Sequence, residues 1–224
     1  MDHDPVSPER SSPEVGTVRG VSRRSFIQTL GASAAASSLA AKAEAVGRAE
    51  QGKRDGPAVM GPEPIEIALR VNGREMKATI DPATTLMQAL RVNLGLTGTK
   101  EICDRGACGG CSVMVGGKLV NSCMMLAADA VGSEVTTVEG LAKGDQLDPV
   151  QEAFIRHDAL QCGYCTPGLV MATRWMLNEL PKPTLEQVKR YLSGNICRCG
   201  TYSNVFNAAL EASGQAPVLD AREA

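Results

Sequence analysis

The chain has 224 residues, a formal net charge of −2 and only 3% aromatic residues. The near balance of charge excludes the basic footprint of a nucleic-acid binder, and the lack of a run of 18 apolar residues excludes a permanent membrane span. The length allows one domain or two small ones, and eight cysteines offer disulfides, zinc or iron–sulfur clusters as a means of holding the fold.

The first 45 residues match the pattern of a twin-arginine export leader. The pair Arg23-Arg24 precedes a weakly apolar stretch, residues 29–41, and a small-x-small cleavage site ends at Ala45. The alternative is an Ala-rich tail with a chance arginine pair. The twin-arginine route accepts folded cargo, which suits a protein that binds its cofactor before export. We therefore predict a signal peptide over residues 1–45 and a periplasmic mature protein.

The next part of the chain predicts a linker and then a small mixed sheet. Residues 46–64 are rich in Gly, Pro and charge, as linkers are. Within residues 65–140, two runs that alternate with period two flank Asn72-Gly73, the strongest short signal of a β-hairpin. The other elements predicted in this half are a helix over 85–94, a second hairpin over 112–120 and a short strand over 135–138.

Beyond residue 140 the apolar period changes from 2 to 3.6, which predicts an all-α domain over residues 147–214. Thr166-Pro167 provides a predicted N-cap and first-turn proline, and Thr184 opens a capping box. A core this small is often marginal without an added staple. The predicted helices cover 149–157, 166–179, 184–192 and 203–212. The fold class is therefore α+β, a mixed sheet followed by four helices.

The eight cysteines fall into two sets of four. The spacing C-x4-C-x2-C with a distant fourth cysteine is the plant-type [2Fe–2S] signature, and glycines in the same loop give its backbone the freedom to wrap a cluster. The second set, C-x2-C and then C-x-C, precedes two predicted helices, whose N-termini favour an anionic thiolate cluster. The first set is Cys103, Cys108, Cys111 and Cys123, and the second is Cys162, Cys165, Cys197 and Cys199.

Disulfides and structural zinc are the alternatives to clusters. Four disulfides would suit an exported protein, but C-x-C is a poor bridging geometry. Four-thiolate zinc sites usually pair C-x2-C with C-x2-C, and neither set has that spacing. The spacing therefore favours one [2Fe–2S] cluster in each set.

Three motifs, in order along the chain, closely resemble the small iron–sulfur subunit of the xanthine dehydrogenase/aldehyde oxidoreductase family of molybdenum hydroxylases. They are Gly98-Thr99-Lys100 before the first cysteine set, Gln161-Cys162-Gly163-Tyr164-Cys165-Thr166-Pro167-Gly168, and Gly194-Asn195-Ile196-Cys197-Arg198-Cys199-Gly200-Thr201-Tyr202. The resemblance covers residues 65–212 and implies a plant-type ferredoxin-like β-grasp domain followed by a helical [2Fe–2S]-binding domain. With the leader, the chain is most similar to the periplasmic aldehyde oxidoreductase subunits. One departure is Ile102, where relatives commonly have glycine.

The resemblance also implies a partner subunit that holds molybdenum in a molybdopterin dinucleotide and hydroxylates the substrate with water. Electrons would pass to the helical-domain cluster, then to the β-grasp cluster, and out to an FAD subunit or a c-type cytochrome. The resemblance places Gln161 and Cys199 beside the pterin, and it implies no catalytic residue on this chain. The expected substrate class is aldehydes, with N-heterocycles as the alternative. A stand-alone two-cluster carrier is the competing hypothesis.

Overall fold

The computed structural model describes residues 61–218. The predicted signal peptide and most of the predicted linker lie outside these residues. Among the described residues, no helix combines the length and apolarity that a membrane span requires.

The first half of the described chain is a five-stranded mixed sheet with the strand order β2-β1-β5-β3-β4. The pair β1–β5 is parallel, and the pairs β1–β2, β3–β4 and β3–β5 are antiparallel. The strands are β1 (Ile65–Val71), β2 (Arg74–Ile80), β3 (Ser112–Val115), β4 (Lys118–Asn121) and β5 (Glu134–Thr136). Both predicted hairpins are confirmed, and the sheet is the predicted β-grasp architecture.

The first hairpin forms because its sequence satisfies both turn and core. Asn72 and Gly73 have φ values of 52° and 75°, the left-handed conformations that a tight two-residue hairpin turn needs. Along β1, alternate residues Ile67, Leu69 and Val71 point into the core, since successive side chains of a strand face opposite sides of the sheet.

The predicted helix over 85–94 exists, but it has two forms. It begins as α1 (Leu86–Gln88), which Thr85 and Gln88 close with a capping box, and it continues as a π-helix over Ala89–Asn93. Its buried side chains include Leu86 and Leu90, and they pack on the sheet. Three 3₁₀ turns follow later in this half, at Ser122–Met124, Ala128–Ala130 and Val138–Gly140.

The second half is the predicted four-helix domain. Its core includes Val150, Leu169, Met176 and Val205, all fully buried. The helices are α2 (Pro149–Arg156), α3 (Thr166–Glu179), α4 (Leu185–Leu192) and α5 (Tyr202–Ala212).

Helix caps agree with the prediction at one helix and differ at another. Thr184 caps α4 through the predicted capping box. The predicted N-cap of α3, Thr166, is wrong. Cys165 occupies the N-cap position and Thr166 is the first helical residue, where its buried hydroxyl has no hydrogen-bond partner in the structure. The helix therefore starts directly at a cysteine of the second set.

The sheet and the helices belong to one compact unit. Helix α3 packs across β3 and β4, and the N-terminal end of α3 meets the cysteine loop of the sheet half. Gly168 makes this approach possible, because a Cβ atom there would lie 2.3 Å from the carbonyl oxygen of Gly109. This contact brings the two cysteine sets toward the same seam.

Candidate iron–sulfur sites

The first cysteine set lies at the end of the sheet, between α1 and β3 and just after β4. Cys103 and Cys108 belong to the loop over residues 98–110, Cys111 directly precedes β3, and Cys123 lies in the 3₁₀ turn that follows β4. Cys111 and Cys123 pack with Met87 in a small buried cluster, whereas Cys103 is partly exposed.

The thiols of this set interact in two pairs. Cys103 interacts with Cys108 at the outer edge, and Cys111 interacts with Cys123 on the core side. A hydrogen bond from the backbone of Arg105 lowers the pKa of Cys103 to about 7. Burial raises the pKa of Cys111 to about 12. The outer thiol is thus the readier of the two to ionise.

The second set joins two segments that are distant in sequence. Cys162 and Cys165 lie in the turn before α3, and Cys197 and Cys199 lie between α4 and α5. The positive end of a helix dipole therefore adjoins each segment, which favours bound thiolates.

Pairing recurs in the second set. Cys162 interacts with Cys199 at the surface, and Cys165 interacts with Cys197 beneath it. A hydrogen bond from the backbone of Tyr164 lowers the pKa of Cys162, and burial raises the pKa of Cys165 to about 12. Each set therefore has an outer pair and an inner pair.

Two pairs of thiols per set fit a [2Fe–2S] cluster, in which each of the two irons takes two protein ligands. All eight cysteines are free thiols in the structure. Within residues 61–218, no three Cys, His, Asp or Glu side chains enclose a single metal-ion position. The thiols of each set thus interact two by two.

Hydrogen bonds to sulfur occur in both sets. The Gly106 N–H donates to Cys123 Sγ at 3.2 Å. The Thr201 hydroxyl lies 3.4 Å from Cys197 Sγ. Burial opposes ionisation of Cys197, but the hydrogen bonds from Thr201, Cys165 and Cys199 together outweigh it and lower the pKa of Cys197 to about 7. Such bonds tune the reduction potential of a cluster.

The two sets meet through the backbone. The Ile196 N–H, one residue before Cys197, donates to the carbonyl oxygen of Cys108 at 2.9 Å. Beside it, Asn195 Nδ2 donates to the carbonyl oxygen of Gly109 at 3.0 Å. A third tie runs from the Tyr164 hydroxyl to the carbonyl oxygen of Glu101 at 3.3 Å. The cysteine loops of both sets therefore share one hydrogen-bonded seam.

The two residues that the resemblance places beside the pterin lie at the surface, where Gln161 is exposed and Cys199 is partly exposed. Arg198, which precedes Cys199, is also exposed. Ile102, the departure noted in the sequence, lies over Gly110, where an added Cβ atom would come within 2.2 Å of the Ile102 Cδ1 atom. The isoleucine thus fills a space above the first loop and displaces none of its cysteines.

Sequence reasoning assigned no role to Asn195, Thr201 or Gly168. All three stand inside the quoted motifs, but a sequence does not reveal the partner of a side chain that bonds across a domain seam. The one local signal was Gly168 itself, since a glycine in the first turn of a helix indicates a close backbone approach.

Two families match the chain, in the same order as the two halves of the fold. The 2Fe-2S iron-sulfur cluster binding domain matches residues 69–142, and the [2Fe-2S] binding domain matches residues 137–210.

Relatives of known function are iron–sulfur subunits of oxidoreductases. The aldehyde oxidoreductase iron-sulfur-binding subunit PaoA of Escherichia coli (strain K12) is 42% identical over 173 residues, which cover 70% of this chain and 76% of PaoA. The nicotine 6-hydroxylase small subunit of Paenarthrobacter nicotinovorans is 46% identical over 151 residues, covering 67% of this chain and 91% of that subunit.

Solved structures agree. Quinoline 2-oxidoreductase from Pseudomonas putida 86 matches with a TM-score of 0.64 and 39% identity, over 69% of this chain and 99% of that chain. Aldehyde oxidoreductase from Desulfovibrio gigas matches with a TM-score of 0.63 and 35% identity, over 67% of this chain and 17% of that longer chain. The chain belongs to the iron–sulfur electron-transfer subunits of the xanthine dehydrogenase/aldehyde oxidoreductase family of molybdenum hydroxylases.

Proposed function

We propose that this subunit binds two [2Fe–2S] clusters and serves a periplasmic, molybdenum-dependent aldehyde oxidoreductase. The observation that carries the two clusters is that eight free thiols lie in two sets of four, whose loops are joined by a backbone hydrogen bond across one seam. When bound, each cluster supplies one-electron redox chemistry. Oxidation of an aldehyde to an acid, with water as the source of the added oxygen atom, releases two electrons and two protons, so two one-electron sites match one turnover of the proposed partner.

The chain's own residues would divide the work as follows. The first cysteine set would hold the cluster nearer to the electron acceptor, an FAD subunit or a c-type cytochrome. The second set would hold the cluster nearer to a molybdopterin dinucleotide on the large subunit. The surface position of Gln161 and the partial exposure of Cys199 support this orientation. The ligands proposed are Cys103, Cys108, Cys111 and Cys123 for the first cluster, and Cys162, Cys165, Cys197 and Cys199 for the second.

Arg198 stands between two proposed ligands and is exposed. Its cationic side chain would offset the negative charge of a thiolate-ligated cluster or meet the partner subunit. If Arg198→Ala left both cluster potentials and the assembly with the large subunit unchanged, this role would be discarded.

Electron paramagnetic resonance of the dithionite-reduced chain, with iron and sulfide quantified, tests the clusters. We expect two distinct rhombic signals and about four irons per chain. Zinc or disulfides in place of iron would contradict the proposal. Purification with the large subunit intact, followed by molybdenum analysis, separates an enzyme subunit from a stand-alone carrier.

Export is tested by cell fractionation. We expect the mature N-terminus to fall near Ala45 and the protein to reach the periplasm. Replacing Arg23 and Arg24 together by lysine is expected to leave an unprocessed chain in the cytoplasm. Efficient export of that double variant would contradict the twin-arginine assignment.

Hydroxylation of an N-heterocycle is the second candidate, and two observations favour it. The relative with 46% identity is a nicotine 6-hydroxylase subunit, and a solved structure with 39% identity is a quinoline 2-oxidoreductase. Assays of the assembled enzyme with matched aldehydes and N-heterocycles decide between the two, because the substrate pocket would lie on the large subunit.

A further inference from the structure

Asn195 lies at the centre of the seam between the two cysteine loops. Only 5% of its surface is exposed, although it is polar and lies just beyond the end of α4 at Leu192. Its side-chain Nδ2 donates to the carbonyl oxygen of Gly109 at 3.0 Å, a fully buried hydrogen bond between residues 86 positions apart. This bond ties Asn195 to the loop of the first cysteine set.

The backbone of Asn195 faces the second set. Its carbonyl oxygen accepts a hydrogen bond from the Tyr202 hydroxyl at 3.3 Å, and the same hydroxyl accepts one from the N–H of Cys197 at 2.8 Å. Asn195 is therefore bonded to Gly109 through its side chain and, through Tyr202, to the backbone of a proposed ligand of the other set.

The side-chain amide of Asn195 packs so closely on Gly109 that position 109 has no room for a side chain. Gly109 has φ = +70°, and a Cβ atom there would lie 2.5 Å from Asn195 Nδ2 and 2.7 Å from the carbonyl oxygen of Gly194. On the opposite side, Gly168 approaches the carbonyl oxygen of the same Gly109. The Gly109 carbonyl is thus held between an amide donor and a helix N-terminus.

One hydrogen bond across a seam fixes a distance but allows rotation about itself. The bond from Ile196 to Cys108 is such a single tie. The Asn195 bond to the adjacent carbonyl of Gly109 adds a second point, and the two bonds together restrict the rotation of one loop relative to the other. Of these two hydrogen bonds, only the one from Asn195 is made by a side chain, so a substitution at Asn195 can remove it.

We propose that Asn195 is a positioning residue that sets the separation and relative orientation of the two clusters. The inference rests on the proposed function, since it needs both cysteine sets to be loaded. Its physical basis is that the magnetic interaction between two clusters falls steeply with their distance and depends on their relative orientation. Loss of the amide donor therefore changes that interaction without touching any ligand.

The test compares Asn195→Ala with Asn121→Ala in the full chain. Asn121 is a matched control, because its Nδ2 also donates at 3.0 Å to a glycine carbonyl of the same loop, that of Gly106, but makes no bond across the seam. Two readouts are the magnetic splitting of the fully reduced chain and the deuterium uptake of the peptide that contains Ile196.

We expect Asn195→Ala to change the splitting and to exchange the Ile196 amide about fivefold faster, the factor that corresponds to loss of one ordinary hydrogen bond. Asn121→Ala is expected to alter the signal of the first cluster and to leave both readouts at their wild-type values. If Asn195→Ala fails to retain iron, Asn195→Asp, which keeps the size and removes the donor, takes its place with the same expected results.

Wild-type splitting and wild-type exchange in an iron-loaded Asn195 variant would overturn the inference and leave the proposed function intact. A wild-type chain that holds fewer than two clusters would overturn the proposed function and this inference with it.

Discussion

The two cysteine sets occupy regions that are built in different ways. The first set is nearly local, since all four cysteines fall within residues 103–123 and the glycine-rich loop and the β3–β4 hairpin position them. The second set joins residues 162–165 to residues 197–199, and two intervening helices decide whether the segments meet. The geometry of the first site follows from backbone conformation, and that of the second follows from tertiary packing.

Despite this difference, the sites converge on the same internal plan. Each has an outer pair in which at least one thiol is exposed or partly exposed, and an inner pair in which both thiols are buried. In each, burial raises the pKa of an inner thiol to about 12, at Cys111 and at Cys165. The comparison shows that the two-by-two plan does not depend on the fold that supplies it.

The largest expected effect comes from replacing one inner cysteine in each set, which tests whether both sets hold a cluster by the same two-by-two plan. Cys111→Ser and Cys165→Ser are each expected to lose one rhombic signal and to reduce the iron content from about four to about two per chain. Cys165→Ser should lower the unfolding temperature more, because its cluster links distant segments and bound metal stabilises what it links. Iron analysis and thermal unfolding measure both effects. Retention of both signals in either variant would contradict the ligand assignment.

The seam is tested by a glycine pair. Gly168→Ala places a Cβ atom 2.3 Å from the backbone oxygen of Gly109, so we expect a loss of about 1–3 kcal/mol in the free energy of unfolding. Gly194→Ala is the control, since a Cβ atom there meets nothing within 4 Å, and its effect should stay within about 0.5 kcal/mol. Denaturant unfolding gives both values. Equal effects of the two substitutions would show that Gly168 does not pack tightly against the Gly109 backbone.

The reduction potential provides a finer contrast, because the Thr201 hydroxyl lies 3.4 Å from the sulfur of Cys197, a cysteine of the second set. Thr201→Val removes the hydroxyl from Cys197 Sγ, and lost donors stabilise a reduced cluster less. We expect the potential of the second cluster to fall by about 20–40 mV, the one-electron equivalent of about 0.5–1 kcal/mol.

Redox titration followed by magnetic resonance measures this shift. Thr201→Ser keeps the hydroxyl and is expected to retain a potential close to the wild-type value. The first cluster should not respond to either substitution. A fall in both potentials would mean that Thr201 acts through the fold and not through its hydrogen bond.

The smallest expected effect is a pH dependence confined to the helical half. Hydrogen bonds from Arg156 on α2, and then from His157, lower the pKa of Glu211 on α5. Because the folded pKa is depressed, the stabilisation is present above the unfolded value of about 4.3 and is lost as the pH falls through the folded pKa. Glu211→Gln should therefore lower the urea midpoint slightly at pH 7, and this difference should shrink as the pH falls below the unfolded value and through the folded pKa. A difference that persists at low pH would rule out this linkage.

Much of this molecule could be predicted because its signals are local. The alternation around Asn72-Gly73 gave the first hairpin at its observed bounds, and the Thr184 capping box gave the start of α4. The π-helix at Ala89–Asn93 could not be predicted, since its apolar positions also fit an α-helix. Cys165 replaced Thr166 as the N-cap of α3 because the chain before that helix is shaped by the cysteine turn.

The candidate sites show the same limit. The cysteine spacing indicated which thiols belong together, but the division into outer and inner pairs depends on burial in the folded chain. The bond between Asn195 and Gly109 joins residues 86 positions apart, and no periodicity or turn signal links them. The sequence predicted local structure within single elements well, but it predicted none of the hydrogen bonds across the seam.

The seam also limits how freely the two halves can be exchanged between relatives. A chimera that takes residues 65–140 from one protein and residues 147–214 from another would bring together a first loop and a helix start that had not been selected to fit. Such a chimera would have to keep three residues together: a small residue at position 168, glycine at position 109 and an amide at position 195. In engineering, the two domains should therefore be transferred together from one relative, and not singly.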